Sequence, residues 1–412
     1  MRTLRFAFSV ATAACVLAPL AHAHDSPAAV ATTLHALVDA AWQRVPLAST
    51  LAARRQETGA ARDLAASWLA SAPTLGVSDR SDRWTDGRGQ RETELSLSAP
   101  LVLPAQHGAR QRLAARADDE LDAQLAQARL DVAGEVRARL WEAELARAVL
   151  AEQEDHVTHL EELAADVEQR VKAGELARSD ALLARQEVLA AVGARVAARD
   201  RAGAALARFR LLTGATALPD LAPEPLPGTV VQTVPATVHP RLLAAQAAQA
   251  RAQATVAVAS ANRHAGPTLG VATRRERDGG VPGVERSIGV SLQIPLSGQL
   301  RNRPAEALAG TQLATASAEL AQAQAAVEID LALARERLAN ARAALDAAAE
   351  RAAALREHTA LFRQAYELGE KPLADLLRSR ALTHEAEVAL RQKRIALAQA
   401  HSQLNQASGI VP

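Results

Sequence analysis

Two hydrophobic rhythms run along the chain, and each occurs twice. From about Ala105 to Lys172, apolar residues return every three or four positions, as at Leu121, Leu125, Ala128, Val132, Val136 and Leu140. That period places them on one stripe of an α-helix, as in a coiled coil. No proline interrupts the run, which predicts a rod of ~100 Å at about 1.5 Å per residue. A second such run, from about Ala305 to Leu368, predicts a rod of nearly the same length. Shorter helices are expected over Val30–Leu69, Ser179–Leu212, Arg241–Ala261 and Leu373–Ala407. The other rhythm has a period of two. In SIGVSLQI, the residues Ile288, Val290, Leu292 and Ile294 alternate with Ser287, Gly289, Ser291 and Gln293. Leu95, Leu97 and Ala99 alternate in the same way with Glu94, Ser96 and Ser98. Such alternation predicts strands with one apolar and one polar face. The charged, glycine-rich stretches DRWTDGRGQR and ERDGGVPG read as exposed hairpin tips.

The doubling extends to short motifs. QRVKAGELARSDALLARQEVLA (Gln169–Ala190) returns as AYELGEKPLADLLRSRALTHEA (Ala365–Ala386), with Gly174 over Gly369 and Asp180 over Asp375, 195 positions apart. PTLGV at Pro73–Val77 returns at Pro267–Val271, and SLSAPL at Ser96–Leu101 returns as SLQIPL at Ser291–Leu296. A constant offset is the mark of a duplication. It predicts a first repeat over 24–217, with a β-hairpin at about 73–103 and a helical tip at about 172–178. A proline-rich linker, 218–240, follows. The second repeat covers 241–412, with a β-hairpin at about 267–296 and a tip at about 368–373. Each rod is expected to end at its glycine, which enters the left-handed conformation without strain. Pro372 suits the first turn of the returning helix. Asp180 and Asp375 suit the positive end of the helix dipole.

Composition narrows the class. Arg2 and Arg5, the apolar run Phe6–Leu20 and Ala21-His22-Ala23 predict a signal peptide over 1–23. The only cysteine, Cys15, lies inside it, which excludes a disulfide framework or a thiolate metal cage. Lys+Arg number 47 and Asp+Glu 46, so no nucleic-acid partner is expected. Aromatics make up 2%, too few for a thick globular core, so long helices packed through Ala and Leu are expected. No later segment approaches ~20 continuous apolar residues, so no membrane-spanning helix is expected. The four strands cannot close a barrel alone, and open edges are not tolerated in lipid. Three copies would supply about twelve strands around a polar lumen, with Ser96, Ser98, Ser291 and Gln293 facing it. Trp68 and Trp84 are the candidates for an interfacial girdle.

The duplicated plan, PTLGV before each first strand, APL and IPL ending each second strand, and YELGEKPLADLL together resemble the TolC-type outer membrane efflux proteins. The resemblance covers nearly the whole chain. SAPLVLPAQHGARQR is similar to the CzcC-like branch that serves heavy-metal RND pumps. The resemblance implies a mainly α protein with a small β part, forming a homotrimer with a 12-stranded barrel in outer membrane lipid. A periplasmic helical tunnel would dock onto an adaptor (membrane fusion) protein and an inner-membrane RND-type pump. It implies a gate at the periplasmic tip formed by Tyr366, Lys371, Asp375 and Asp180. Arg378 stands where the best-known members carry a second acid, so Asp375 and Arg378 could pair between protomers. Adaptor docking is implied at Lys172, Gly174, Glu175 and Leu176 on one tip. On the other it is implied at Leu368, Gly369, Glu370, Pro372 and Leu373.

No serine–histidine–acid set, phosphate loop or CxxC is present, so neither an enzyme nor a cofactor is expected. His156 and His159, at i and i+3, have a spacing that can share a metal. On a solvated helix such a pair reads as ordinary polar surface, and no metal site is assigned. The expected function is a passive exit duct for heavy-metal cations. A duct for drugs or type I polypeptide secretion is the alternative within this architecture. A soluble periplasmic coiled-coil adaptor is the alternative from another class.

Overall fold

The computed structural model describes residues 33–219, 224–225, 239–279, 283–296 and 299–412. The expected signal peptide and most of the linker lie outside them. The chain order is α1 (Leu34–Trp42), α2 (Pro46–Ala66), β1 (Thr74–Ser81), β2 (Arg91–Pro100), α3 (Pro104–Lys172) and α4 (Arg178–Thr213). After the linker come α5 (Pro240–Ala261), β3 (Thr268–Arg277), β4 (Glu285–Gln293), α6 (Arg303–Glu367) and α7 (Leu373–Ala407). The helix expected over 30–69 is in fact two. Pro46 has no amide hydrogen for a continuing helix and instead starts α2.

Two long helical hairpins, α3–α4 and α6–α7, dominate the molecule. Helices α3 and α6 have 69 and 65 residues, and α5 packs between them. Alanine permits close approach: Ala184, Ala191, Ala198 and Ala205 of α4, seven apart, are all buried. Ala309, Ala316 and Ala323 repeat that spacing on α6. Larger side chains form their two biggest clusters at mid-height and near the tips. Leu37, Val38, Val132, Val136, Leu140 and Phe209 join α1, α3 and α4 at mid-height. Near the tips, Val157, Leu160, Leu163 and Val167 of α3 meet Ala184 of α4, Tyr366 of α6 and Leu373, Leu376 and Leu377 of α7.

The strands form one antiparallel sheet in the order β1-β2-β3-β4. Strands β2 and β3 are neighbours although the whole first helical hairpin separates them in sequence. Period-two alternation holds over the half of the sheet nearer the helices. Leu75, Leu97, Val271 and Val290 share one cross-strand row, and Val77, Leu95, Thr273 and Ile288 share the next. The opposite face carries small or polar residues: Gly76, Ser96, Ala272 and Gly289 in one row, Ser98, Gly270 and Ser291 in another. The sheet stands at the end of the helices away from their tips, because α3 and α6 begin where β2 and β4 end. Among the described residues, no helix is long and apolar enough to cross a membrane.

Candidate functional site

The two tips are built alike. Gly174 and Gly369 have φ of 82° and 76°, a left-handed conformation open to glycine without strain. The Glu175 amide donates to the Arg170 carbonyl at 2.9 Å, and Glu370 to Ala365 at 2.8 Å. The Gly174 and Gly369 amides donate to Val171 and Tyr366 at 3.1 and 3.0 Å. These paired bonds satisfy carbonyls that a helix end leaves bare, in the Schellman arrangement.

The returning helices then diverge chemically. Asp180, in the first turn of α4, accepts a hydrogen bond from the Ala177 amide at 3.3 Å. Asp375 holds the same place in α7, but Pro372 stands where Ala177 stood. Pro372 therefore precedes the first turn rather than lying in it, and it has no N–H to offer. The Asp375 carboxylate is left half-buried, with no hydrogen bond or ion pair among the described residues. Arg378 is exposed and likewise unpaired among them.

Tyr366 lies in the apolar cluster at the tips and is 6% exposed. The Arg170 guanidinium sits 5.3 Å from its ring centroid. Its buried hydroxyl has no hydrogen-bond partner. Burial raises the phenol pKa, Arg170 opposes the rise, and the charges of Asp166 and Asp180 add to it. Tyr366 of α6 therefore feels charges carried by α3 and α4 of the other hairpin. Lys371 stays apart from them, with its ammonium 5.5 Å from the Phe362 ring centroid. Lys172, Gly174, Glu175, Leu368, Gly369, Glu370 and Pro372 are exposed at the tips, and Leu176 is half-buried. Leu373 is different: it is buried among Leu376, Leu377 and Tyr366, and cannot present a docking surface.

Above the tips, α3, α6 and α7 enclose a cleft of about 760 Å³. Its walls are laced by ion pairs: Arg391–Glu152 at 2.6 Å, Arg356–Glu387 and Arg363–Glu367 at 3.0 Å, and Arg170–Asp166 at 3.1 Å. Half-buried Arg380 has no such partner among the described residues; burial, then the charge of Arg363, lowers its pKa. His156 and His159 turn to different neighbours. His159 Nδ1 bonds the Asp155 carbonyl at 2.7 Å. His156 instead stacks on His384 of α7, ring centroids 3.7 Å apart and planes 6° from parallel. Parallel rings do not converge their nitrogens on one ion. Among the described residues, no group of three or more His, Cys, Asp or Glu could hold a metal. Burial, followed by the charges of His384 and His159, lowers the His156 pKa to about 4.

Sequence reasoning missed His384, Arg170 and Arg380. One signal was available. His156 lies 18 residues before Gly174, and His384 lies 15 after Gly369. Both are thus ~25 Å above tips that lie level, at about 1.5 Å per residue.

No family model and no curated protein matches the chain. Solved structures do. The CmeC outer membrane channel of Campylobacter jejuni superposes with a TM-score of 0.72 at 15% identity, over 91% of this chain and 85% of that one. The outer membrane protein VceC of Vibrio cholerae gives 0.73 at 14% identity, over 92% and 97%. A membrane protein from Pseudomonas aeruginosa gives 0.72 at 20% identity, over 97% and 98%. The chain therefore has the fold of these solved proteins. In this chain the sheet and the tips lie at opposite ends of the long hairpins.

Proposed function

We propose that three copies of this chain form a passive outer-membrane efflux channel of the TolC type. The observation that carries this reading is the sheet. Its apolar face is exposed, with Ile288 at 81%, and edge strands β1 and β4 each pair on one side only. Lipid accepts such a face but rejects open edges, so the sheet must close with other copies. Three copies give about twelve strands, within the range of membrane barrels. Small residues on the polar face, Gly76, Gly270 and Gly289 among them, let the sheet curve inward around a lumen. The helices carry a matching need. Leu182, Leu189 and Val196, seven apart on α4, stay exposed, with Leu189 at 63%, and such a stripe fits a neighbouring copy. The two repeats, 24–217 and 241–412, would each supply one β-hairpin and one helical hairpin per protomer.

In this reading the barrel sits in the outer membrane and the helices extend into the periplasm. The exposed tips dock on a periplasmic adaptor, which links them to an inner-membrane RND-type pump. Leu373 supports the tip from inside. Tyr366, Asp180, Lys371, Asp375 and Arg378 form the gate, with the free carboxylate of Asp375 meeting Arg378 of the next copy around the axis. Asp375→Ala then loosens the closed pore and raises single-channel conductance in a planar bilayer. Conductance equal to wild type sinks the gate assignment. Heavy-metal cations are the proposed cargo, on the resemblance of SAPLVLPAQHGARQR to the CzcC-like branch.

Outer-membrane fractions tested for a heat-modifiable oligomer check the channel itself; a soluble periplasmic protein would discard it. A clean deletion scored on metals beside dyes, detergents and antibiotics checks the cargo. Sensitivity to cations alone supports metal export, and sensitivity to drugs alone removes it.

A further inference from the structure

The two faces of the sheet treat charge differently. On the polar face, Arg80 and Arg274 both approach Glu92, at 3.9 and 3.0 Å, and Arg274 also meets Glu276 at 3.1 Å. Both arginines of that face are thus paired with acids. The apolar face changes character toward the hairpin tips. Beyond the row of Val77, Leu95, Thr273 and Ile288 comes a row of Asp79, Thr93, Arg275 and Arg286. The row after it holds Ser81, Arg91 and Arg277. Rows follow each other by two residues, or ~6.6 Å at about 3.3 Å per residue. Arg91 is held by the Asp79 carboxylate through bonds of 3.1 and 3.2 Å. Arg275, Arg277 and Arg286 are exposed, and among the described residues none makes an ion pair or side-chain hydrogen bond.

Three unpaired guanidiniums thus stand one or two rows beyond an apolar band, on the same side of the sheet. If that band lies in lipid, its end lies at the headgroup level. Arginine carries a rigid fork of donors that matches a phosphate, and its stem can lie along apolar surface while the head reaches out. The competing partner is an acid on an adjoining copy. Asp79 is the one acid in these two rows, and Arg91 and Thr93 already occupy it. Resting on the channel reading, which sets this face in lipid, we infer that Arg275, Arg277 and Arg286 bind lipid phosphate groups at the membrane surface farther from the helices. They form a cationic collar that fixes the height of the barrel in the bilayer.

The test uses the purified oligomer, equilibrated in mixed micelles with equal amounts of phosphatidylglycerol and phosphatidylcholine. Retained lipid is counted by native mass spectrometry. Wild type retains phosphatidylglycerol preferentially, and the preference falls about fivefold for each arginine removed. The R275Q/R277Q/R286Q variant therefore retains the two lipids nearly equally. R274Q, on the polar face where the arginine is paired with acids, keeps the wild-type ratio. R286Q alone, on an edge strand, gives a partial loss even where the triple variant fails to assemble. A wild-type ratio in R286Q and in the assembled triple variant overturns the inference and leaves the channel standing. An equal loss in R274Q also overturns it, since any basic residue would then do. Displacement of the lipid by inorganic phosphate at equal concentration overturns the membrane source. A wild-type protein that fails to insert into liposomes overturns the channel reading and the collar together.

Discussion

Arg137→Met is expected to destabilise the protein far more than its surface ion pairs would suggest. The Arg137 side chain is 4% exposed and its partner Glu224 is 14% exposed. The guanidinium donates to both Glu224 oxygens, at 3.0 and 2.7 Å, to Gln406 Oε1 at 2.7 Å and to the Ile410 carbonyl at 3.0 Å. One side chain thereby ties α3 to the linker and to the C-terminal segment. Burial pushes the Glu224 carboxyl up, and Arg137, Ser402 and Asn405 together more than offset this, so its pKa stays below the usual carboxylate range. Methionine fills similar volume but leaves a buried charge held only by Ser402 and Asn405. Removing one partner of a buried pair costs ~3–5 kcal/mol. With m of roughly 4 kcal/mol/M for a chain of this size, the urea midpoint falls by about 1 M. Trp141, one turn further along α3, reports the loss through its fluorescence, because its indole N–H donates to Ser402 at 2.8 Å. The Arg137→Met/Glu224→Gln double variant removes both charges and should recover much of the stability, giving a coupling above about 1 kcal/mol. A single-variant loss below ~1 kcal/mol, the value expected of exposed pairs such as Arg351–Glu385, would refute the reasoning. So would strict additivity in the double variant.

Other expectations concern acid and glycine. The His156–His384 stack is held neutral, with both pKa values lowered by burial. Between about 4 and the unfolded value near 6.5, the unfolded chain binds more protons, so stability falls as pH drops through that window. Thermal unfolding should show a Tm that is level above pH 7 and declines below pH 6, and His384→Gln should flatten the decline; parallel pH curves would count against the stack. Gly266→Ala should prevent correct sheet assembly, because its Cβ would overlap the Leu101 carbonyl where the Leu101 amide bonds Pro267. Gly369→Ala meets no atom and should cost only ~1 kcal/mol for its positive φ; equal yields of folded protein from the two variants would remove the distinction.

Local chemistry was legible in the chain itself. The periods of 3.6 and 2 separated helices from strands because they follow from backbone geometry alone. Gly174 and Gly369 marked the helix ends because only glycine enters the left-handed region freely. The doubled motifs pointed to two matching hairpins, and the sheet's apolar face was visible in the alternation of Ile288, Val290 and Leu292. The break at Pro46 was legible too, and passing over it merged α1 with α2. What tertiary structure alone decided was which faces meet. His156 stacks on His384 rather than sharing an ion with His159, because α3 and α7 lie side by side and the two rings fall level between them. Pairing β2 with β3 across the first helical hairpin set Arg275 beside Thr93 and Arg277 beside Arg91. Arg137 found Glu224 and Gln406 across the fold, and no periodicity encodes that meeting. Periodicity fixes the direction of a side chain relative to its own backbone; its partner depends on how separate rods and strands come to lie against one another.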